Sequence, residues 1–508
     1  MKKRLSALIL ISALFVSLFF SCDKSTENSP PVDTEHPEST TGAAVTSADT
    51  VTSANTTTSA NTTAPIPPTK FELQFSAENE RLLSERISDI RSGNVLTDIP
   101  DKLKEGAERV NAGDGAYTFI YREADAALYR TLCDILRDSG FAQYTEREFN
   151  GDEAKEVNLF TTFISSVTQV DIRYHKYNSR IYVTATPRTA SVLPQREAPE
   201  YTAAGEEYPT IMTQYGLEGI NNLESSMGYI VRLADGSFVI IDSGELYEGV
   251  ADRIYMILKK QAPDPNNIVI SAWILTHAHF DHVGGFINFS KKYAADSGVE
   301  LKQVVYNFPD DANISSDIAD MQNEVRAAAA RFGKDAEMLK AHTGNVLYYA
   351  DVSFNVLYTQ EEHLATGAYF DNYNSSSLVM QMVTSDGTKV FIAADQPVLE
   401  PNGCERAVYR WYGSFIKSYV STTFHHGYYG GADTRVYYEI SPRIILWCVE
   451  QYRVDLNGLK DFPQNLYFTG SDAEATYYIA GDNVQILSFG EGKATVVEYD
   501  NFAQYWAS

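Results

Sequence analysis

The stretch Ile274-Leu275-Thr276-His277-Ala278-His279-Phe280-Asp281-His282-Val283-Gly284-Gly285 gathers three imidazoles and a carboxylate directly behind an apolar run. Ile274 and Leu275 read as the end of a buried strand. Alternate side chains of an extended segment share a face, so His277 and His279 can turn towards one point. Asp281 and His282 are expected from the loop beyond, facing a second point nearby. The paired glycines would let the backbone pass close beneath bound ions before the next helix begins. A lone histidine is usually a core or surface residue, but this density of nitrogen and oxygen donors reads as a metal site. Donors of this kind suit Zn, Mn or Fe, with Zn favoured. Divalent ions held there would acidify water and stabilise developing negative charge, which is hydrolytic chemistry.

The flanking sequence supplies elements to position these groups. Tyr229 to Leu233 and Ser237 to Asp242 read as a hairpin around Ala234-Asp235-Gly236, its second strand ending in Ile241-Asp242-Ser243-Gly244. Val250, Ile254, Ile257 and Leu258 recur at helical spacing before the strand that enters the motif. Strand, helix, strand and site in that order predict an α/β layer fold with ligands at the carboxyl ends of strands. Further on, the apolar run Lys389 to Ala394 ends in Asp395, and Tyr419 to Phe424 runs into His425-His426-Gly427.

His-x-His-x-Asp-His followed by Gly-Gly resembles the motif of the metallo-β-lactamase superfamily of hydrolases, and the resemblance extends over about residues 210 to 500. It implies an αββα sandwich, with 205–500 as the hydrolase domain. It also implies roles: His277 and His279 on a first metal, Asp281, His282 and His426 on a second, Asp395 bridging, and Asp242 supporting the ligand loop by hydrogen bonds. His426 is preferred to His425 as ligand because it directly precedes glycine, which leaves His425 to face substrate as a charge stabiliser or proton donor. Asp281, Asp395 and His425 are thus the expected catalytic groups. The family's remaining histidine has no clear counterpart. His342, His363 and Gln360 are the candidates, none in a convincing context, so the first site is expected to be weaker or open. His-His-Gly and the segment Asn374-Ser375-Ser376-Ser377-Leu378-Val379 resemble the branch containing the nuclease domain of the bacterial competence channel and the phosphorylcholine esterases. Di-iron oxidoreductases of the superfamily carry Glu where this chain has His279, which argues against redox chemistry.

The rest of the chain describes where such an enzyme would work. Lys2, Lys3 and Arg4 precede the apolar run Leu5 to Phe20 and then Ser21-Cys22, so 1–22 resembles a bacterial lipoprotein signal with Cys22 as the lipidated residue. Residues 23–70 lack hydrophobic periodicity and include TSADTV, TSANTT, TSANTT in tandem, a composition expected to form a disordered tether. Residues 71–200 read as a small α/β accessory domain, with helices over Phe71 to Arg91 and Ala126 to Ser139. Strands are expected over Ala116 to Tyr121, Leu159 to Ile164, Thr168 to Tyr174 and Arg180 to Thr186. With Cys22 lipidated, Cys133, Cys404 and Cys448 remain, an odd number that argues against a disulfide framework, and none lies near the motif in sequence. The 67 acidic against 41 basic residues give a net charge of −26, which repels polyanions and disfavours a nucleic-acid partner.

These features together predict an extracytoplasmic hydrolase tethered to the cell membrane, acting as a phosphodiesterase on a small-molecule or envelope-polymer substrate. Two other readings are an envelope binding lipoprotein that retains the fold without turnover, and an extracellular nuclease. If Cys22 carries the anchor, Cys22→Ala moves the protein from the membrane to the soluble fraction. Intact-protein mass showing no lipid on Cys22 in the wild type would refute the assignment.

Overall fold

Strand β1 (Glu108–Gly113) is the first strand among the described residues. It is followed by β2 (Ala116–Tyr121), α1 (Ala126–Asp138), β3 (Ala142–Glu148), β4 (Asn158–Ile164), β5 (Thr168–His175) and β6 (Arg180–Pro187). The computed structural model describes residues 95–150, 158–199, 207–220, 227–295, 298–310, 314, 316–333, 336–366, 373–396, 404–427, 434–450 and 475–508. The signal segment and tether expected over 1–70 and the helix expected over Phe71 to Arg91 lie outside the described residues.

β1 to β6 form an antiparallel sheet in the order β1-β2-β6-β5-β4-β3. Alternation along its strands gives it two different faces. Phe119, Tyr121, Val170, Ile172, Tyr174, Ile181 and Val183 pack with Leu132 and Leu136 of α1 into a core of their own. The α1 N-terminus is capped by Asp125, which accepts from the Leu128 amide. β1 and β3 were not expected from sequence, because their mostly exposed or half-buried residues carry little apolar alternation.

The remaining strands make two sheets. One has the order β13-β12-β10-β9-β8-β7-β21-β22, from Glu337–Lys340 (β13), Gln303–Tyr306 (β12), Ile268–Ile274 (β10), Phe238–Asp242 (β9), Gly228–Arg232 (β8), Ile211–Tyr215 (β7), Val484–Gly490 (β21) and Lys493–Tyr499 (β22). The short strand β11 (Val299–Leu301) pairs with β10. The other has the order β14-β15-β16-β17-β18-β19-β20, from Val346–Tyr349, Val352–Tyr358, Val379–Thr384, Lys389–Ile392, Val420–Thr422, Ile444–Trp447 and Thr476–Ile479. Along β9, Val239 and Ile241 join a core shared with Phe354, Met380, Val390 and Leu446 of the facing sheet. Phe238 and Ile240 point the other way, towards the helices α2 (Glu248–Gln261), α3 (Phe280–Tyr293) and α4 (Ser316–Arg331). The outer face of the second sheet is covered by α6 (Cys404–Tyr412) and α7 (Thr434–Ile440), which follow the short helix α5 (Gln360–Leu364). This is an αββα sandwich: each sheet is apolar on both sides, which explains the near-continuous apolar runs of β9 and β10.

The second face of the N-terminal sheet is polar, and the sandwich buries it. Arg173 pairs with Glu362 at 2.6 Å, both side chains 1% exposed. Thr186 meets His342 at 2.9 Å, Asn345 donates to Asp171, and His175 stacks on Trp411 at 4.3 Å. Burial holds the His175 pKa well below its ordinary value, helped by the neighbouring Arg173 cation. Breaking such a buried pair leaves one charge without its partner. Arg173→Met should therefore cost about 3–5 kcal/mol in urea unfolding, and Arg173→Met with Glu362→Leu should recover much of that loss.

Candidate metal centre

Asp242 ends β9 in the left-handed region, φ 52°, and its buried carboxylate points along the strand ends. Oδ1 accepts from the Thr276 amide at 2.8 Å, and Oδ2 accepts from Thr276 Oγ1 at 2.7 Å and His282 Nδ1 at 2.8 Å. Thr276 Oγ1 lies 3.1 Å from His277 Nδ1. One carboxylate thus fixes the outer nitrogens of two imidazoles, directly for His282 and through Thr276 for His277, so that both Nε2 atoms face inwards.

Asp281 and His282 are not on a loop, as the sequence had suggested. They occupy the first turn of α3, with His279 as its N-cap residue. The glycines also act differently from the expectation. A Cβ at Gly284 would overlap the Leu246 amide, and one at Gly285 would overlap the Ser243 carbonyl. Gly284 and Gly285 therefore let α3 close onto the loop that follows Asp242, and they do not form a floor beneath the ions. Ser243 completes that contact by donating to the His282 carbonyl at 2.7 Å and accepting from the Phe286 amide at 2.9 Å.

The facing sheet supplies the other donors just beyond its strands. β17 stops at Ile392, Ala394 is left-handed, and Asp395 follows. β18 stops at Thr422, and His425 and His426 are both left-handed, φ 45° and 52°. The strands are shorter than their apolar runs because these turns must swing the side chains back over the sheet end. His425 N donates to Ala394 O at 3.0 Å, which ties the two turns together.

Two donor groups result. Asp281, His282, Asp395 and His426 form one, and His277, His279 and Asp395 the other, with all ligand atoms in each within 4.8 Å of one another. His277 Nε2 and His279 Nδ1 are 3.0 Å apart, and His282 Nε2 and His426 Nε2 are 3.2 Å apart. Asp395 Oδ2 stands 3.2 Å from His282 Nε2, 3.3 Å from His426 Nε2 and 3.8 Å from His277 Nε2. Its Oδ1 is buried without a protein hydrogen-bond partner. Converging imidazole nitrogens around an unsatisfied carboxylate oxygen are what divalent ions would satisfy, so the residues fit the metal.

His342 and Gln360 lie elsewhere. His342 Nδ1 pairs with Glu361 at 2.7 Å, and Gln360 donates to Ala112 O at 2.6 Å. His363 is buried within α5, outside both donor groups. The first group therefore has three protein donors among the described residues. Cys448, remote in sequence, proves to lie beside the centre. His426 Nδ1 lies 3.3 Å from its carbonyl and 3.5 Å from its Sγ, and Trp447 Nε1 donates to His426 O at 2.8 Å. β19 places them there, and only the pairing of β18 with β19 could have shown it.

Residues 222–359 match the family described as the metallo-beta-lactamase superfamily. The chain carries a metallo-β-lactamase superfamily domain. The matched stretch includes Asp242 and the His277–His282 motif, while the fold adds Asp395 and His426. Similar solved structures include the metallo-beta-lactamase fold protein YhfI from Bacillus subtilis, at 13% identity, covering 57% of this chain and 100% of that one with a TM-score of 0.35. Another is a Cronobacter sakazakii metallo-beta-lactamase with a HARLDQ motif, at 14% identity, covering 39% of this chain and 74% of that one with a TM-score of 0.24. No curated protein matches the chain. The metallo-β-lactamase fold implies divalent metal binding, and the His/Asp cluster is a group of residues that could hold the ions.

Without metal, the centre is a set of balanced charges. Burial disfavours the His282 cation, but Asp395, Asp242 and Asp281 outweigh it and hold the pKa well above the ordinary value. His426 is raised likewise against its burial, chiefly by Asp395. Burial and neighbouring imidazoles push His277 well down, and burial pushes His279 down to about 4. Despite burial, His282 and His426 bring Asp281 down to about 2. The carboxylates thus favour protons on His282 and His426, with which an ion must compete for the same nitrogens. Zinc binding should release protons, and affinity should rise as pH goes from roughly 6 to 8, which calorimetry in buffers of different ionisation enthalpy measures. Asp281→Ala should lose metal from the second group while far-UV circular dichroism stays unchanged.

Proposed function

We propose that the protein is an exported, membrane-tethered phosphodiesterase of the metallo-β-lactamase fold, acting on an envelope or extracellular substrate. The observation that carries the phosphodiester reading is the meeting of two separate segments: Asn374 Nδ2 lies 3.2 Å from His425 Nε2. These are the segments that resemble the phosphodiester branch. An amide nitrogen only donates, so His425 Nε2 accepts and the ring proton resides on Nδ1.

Divalent ions, with Zn favoured and Mn or Fe also compatible with the donors, would supply Lewis acidity and an acidified water to this site. The chain's own residues do the rest. Asp242 and Thr276 hold His277 and His282 in register, Asp395 joins the two donor groups, and the Cys448 carbonyl orients His426. His425, half-buried and steadied by Asn374, offers its Nδ1–H as a hydrogen-bond donor that stabilises negative charge developing on a leaving oxygen. The net charge of −26 disfavours a nucleic-acid substrate. Three-donor coordination in the first group supports a second reading, a binding lipoprotein without turnover.

Purified full-length protein with added Zn or Mn, screened against phosphodiester, lactone, thioester and β-lactam substrates, tests the assignment. Preferential phosphodiester hydrolysis is expected, and metal uptake without turnover of any of them would favour the binding reading. His425→Ala should keep its metal and lose about 10²- to 10³-fold in turnover, the usual worth of one positioned donor to a developing oxyanion. His426→Ala should lose metal instead. Equal metal loss in both variants would defeat this division of roles.

A further inference from the structure

The tip of the N-terminal sheet reaches the same edge of the sandwich as the metal ligands. β9, β10, β12 and β13 run parallel, so the segments after Asp242, Ile274, Tyr306 and Lys340 emerge at one end. The β1–β2 hairpin turns through Asp114-Gly115 with φ 54° and 75°, the left-handed pair that a two-residue hairpin loop needs. It docks backbone to backbone: a Cβ at Gly113 would stand 2.8 Å from Phe308 O and 2.9 Å from Pro309 C. The Asp114 carboxylate is buried there between Lys340 Nζ at 3.0 Å and Arg326 at 2.8 Å.

Arg326 lies on α4, one helical turn beyond Gln322, which donates to the Tyr373 hydroxyl. The buried Tyr373 ring packs against His279 with centroids 5.7 Å apart. His279 differs from the other imidazole ligands. His277, His282 and His426 each have the outer nitrogen hydrogen-bonded, to Thr276, Asp242 and the Cys448 carbonyl, whereas the hydrogen bond found for His279 is to His277 within the centre. Its ring is therefore held by packing, and it serves the group that has three protein donors.

We propose that Asp114 is a positioning residue for the first metal group, acting through Arg326, Gln322 and Tyr373 on His279, so that the N-terminal sheet sets how tightly that group holds its ion. This rests on the metal reading above. A ring free to rotate away from the convergence point weakens binding, and outer-sphere changes of this kind typically cost 10- to 100-fold in metal affinity.

The test is a two-site zinc titration of the full-length chain against a chromophoric chelator. Tyr373→Phe keeps the ring and cuts the link to Gln322. It should weaken the weaker site roughly 10-fold and leave the stronger site unchanged, and Asp114→Asn should do the same. The double variant should be no worse than either alone, because both cut one path. Asp114→Glu should restore part of the affinity. If Asp114→Asn does not fold, Gln322→Leu replaces it in the cycle with Tyr373→Phe. Unchanged affinities, or losses that multiply in the double variant, overturn the coupling. A wild-type chain that takes up no zinc overturns the metal reading itself, and the coupling with it.

Discussion

The Asp242 carboxylate is the constraint on which the centre depends. Its two oxygens accept three hydrogen bonds from Thr276 and His282, joining the end of β9, the end of β10 and the first turn of α3. Burial raises its pKa and so works against the charge, while these donors favour the carboxylate. The same bonds set ring orientation, since a histidine that donates from Nδ1 presents Nε2 to an ion. Structural support and ligand tautomer are therefore one interaction, and losing it would disturb both donor groups.

Backbone strain collects around that point. Asp242, Ala394, His425 and His426 all take left-handed conformations without being glycine, and all lie where strands end at the centre. Each such residue costs on the order of 1–3 kcal/mol and persists only where the surroundings over-determine it. Here the surroundings are two sheets apolar on both faces, cross-linked by contacts such as Leu378 N to Thr276 O at 2.9 Å. The packed sandwich can thus hold turns that aim ligands inwards across the gap between its sheets.

The N-terminal sheet meets this sandwich through buried charge as well as through apolar contacts such as Phe160 against Val346 and Leu357. Arg173, Asp114, Lys340, Glu361 and Glu362 are all buried at or beside that contact. Buried ion pairs add little net stability, because desolvation offsets their attraction, but a misplaced partner leaves a bare charge. A polar face of this kind permits one docking register and penalises others, which a greasy contact would not.

By itself, the sequence determined the set of candidate donor residues and the class of fold. The His277–His282 spacing declared nitrogen and oxygen donors, near-continuous apolar runs declared β9 and β10, and Asp242, Asp395 and His426 could be located because a carboxylate or imidazole after an apolar run is a local signal. Tertiary structure decided what depends on distant neighbours. Asp281 and His282 begin a helix because Gly284 and Gly285 let it close on Ser243 and Leu246, a contact that spacing along the chain does not reveal. Cys448 lies against His426 only because β18 pairs with β19, and Asp114 reads as an ordinary turn residue until Lys340 and Arg326 surround it. The physical reason is common to all three. Periodicity and side-chain chemistry act over a few residues and are written locally, whereas burial, desolvation and the pairing of buried charges depend on which distant segments the packed core brings together.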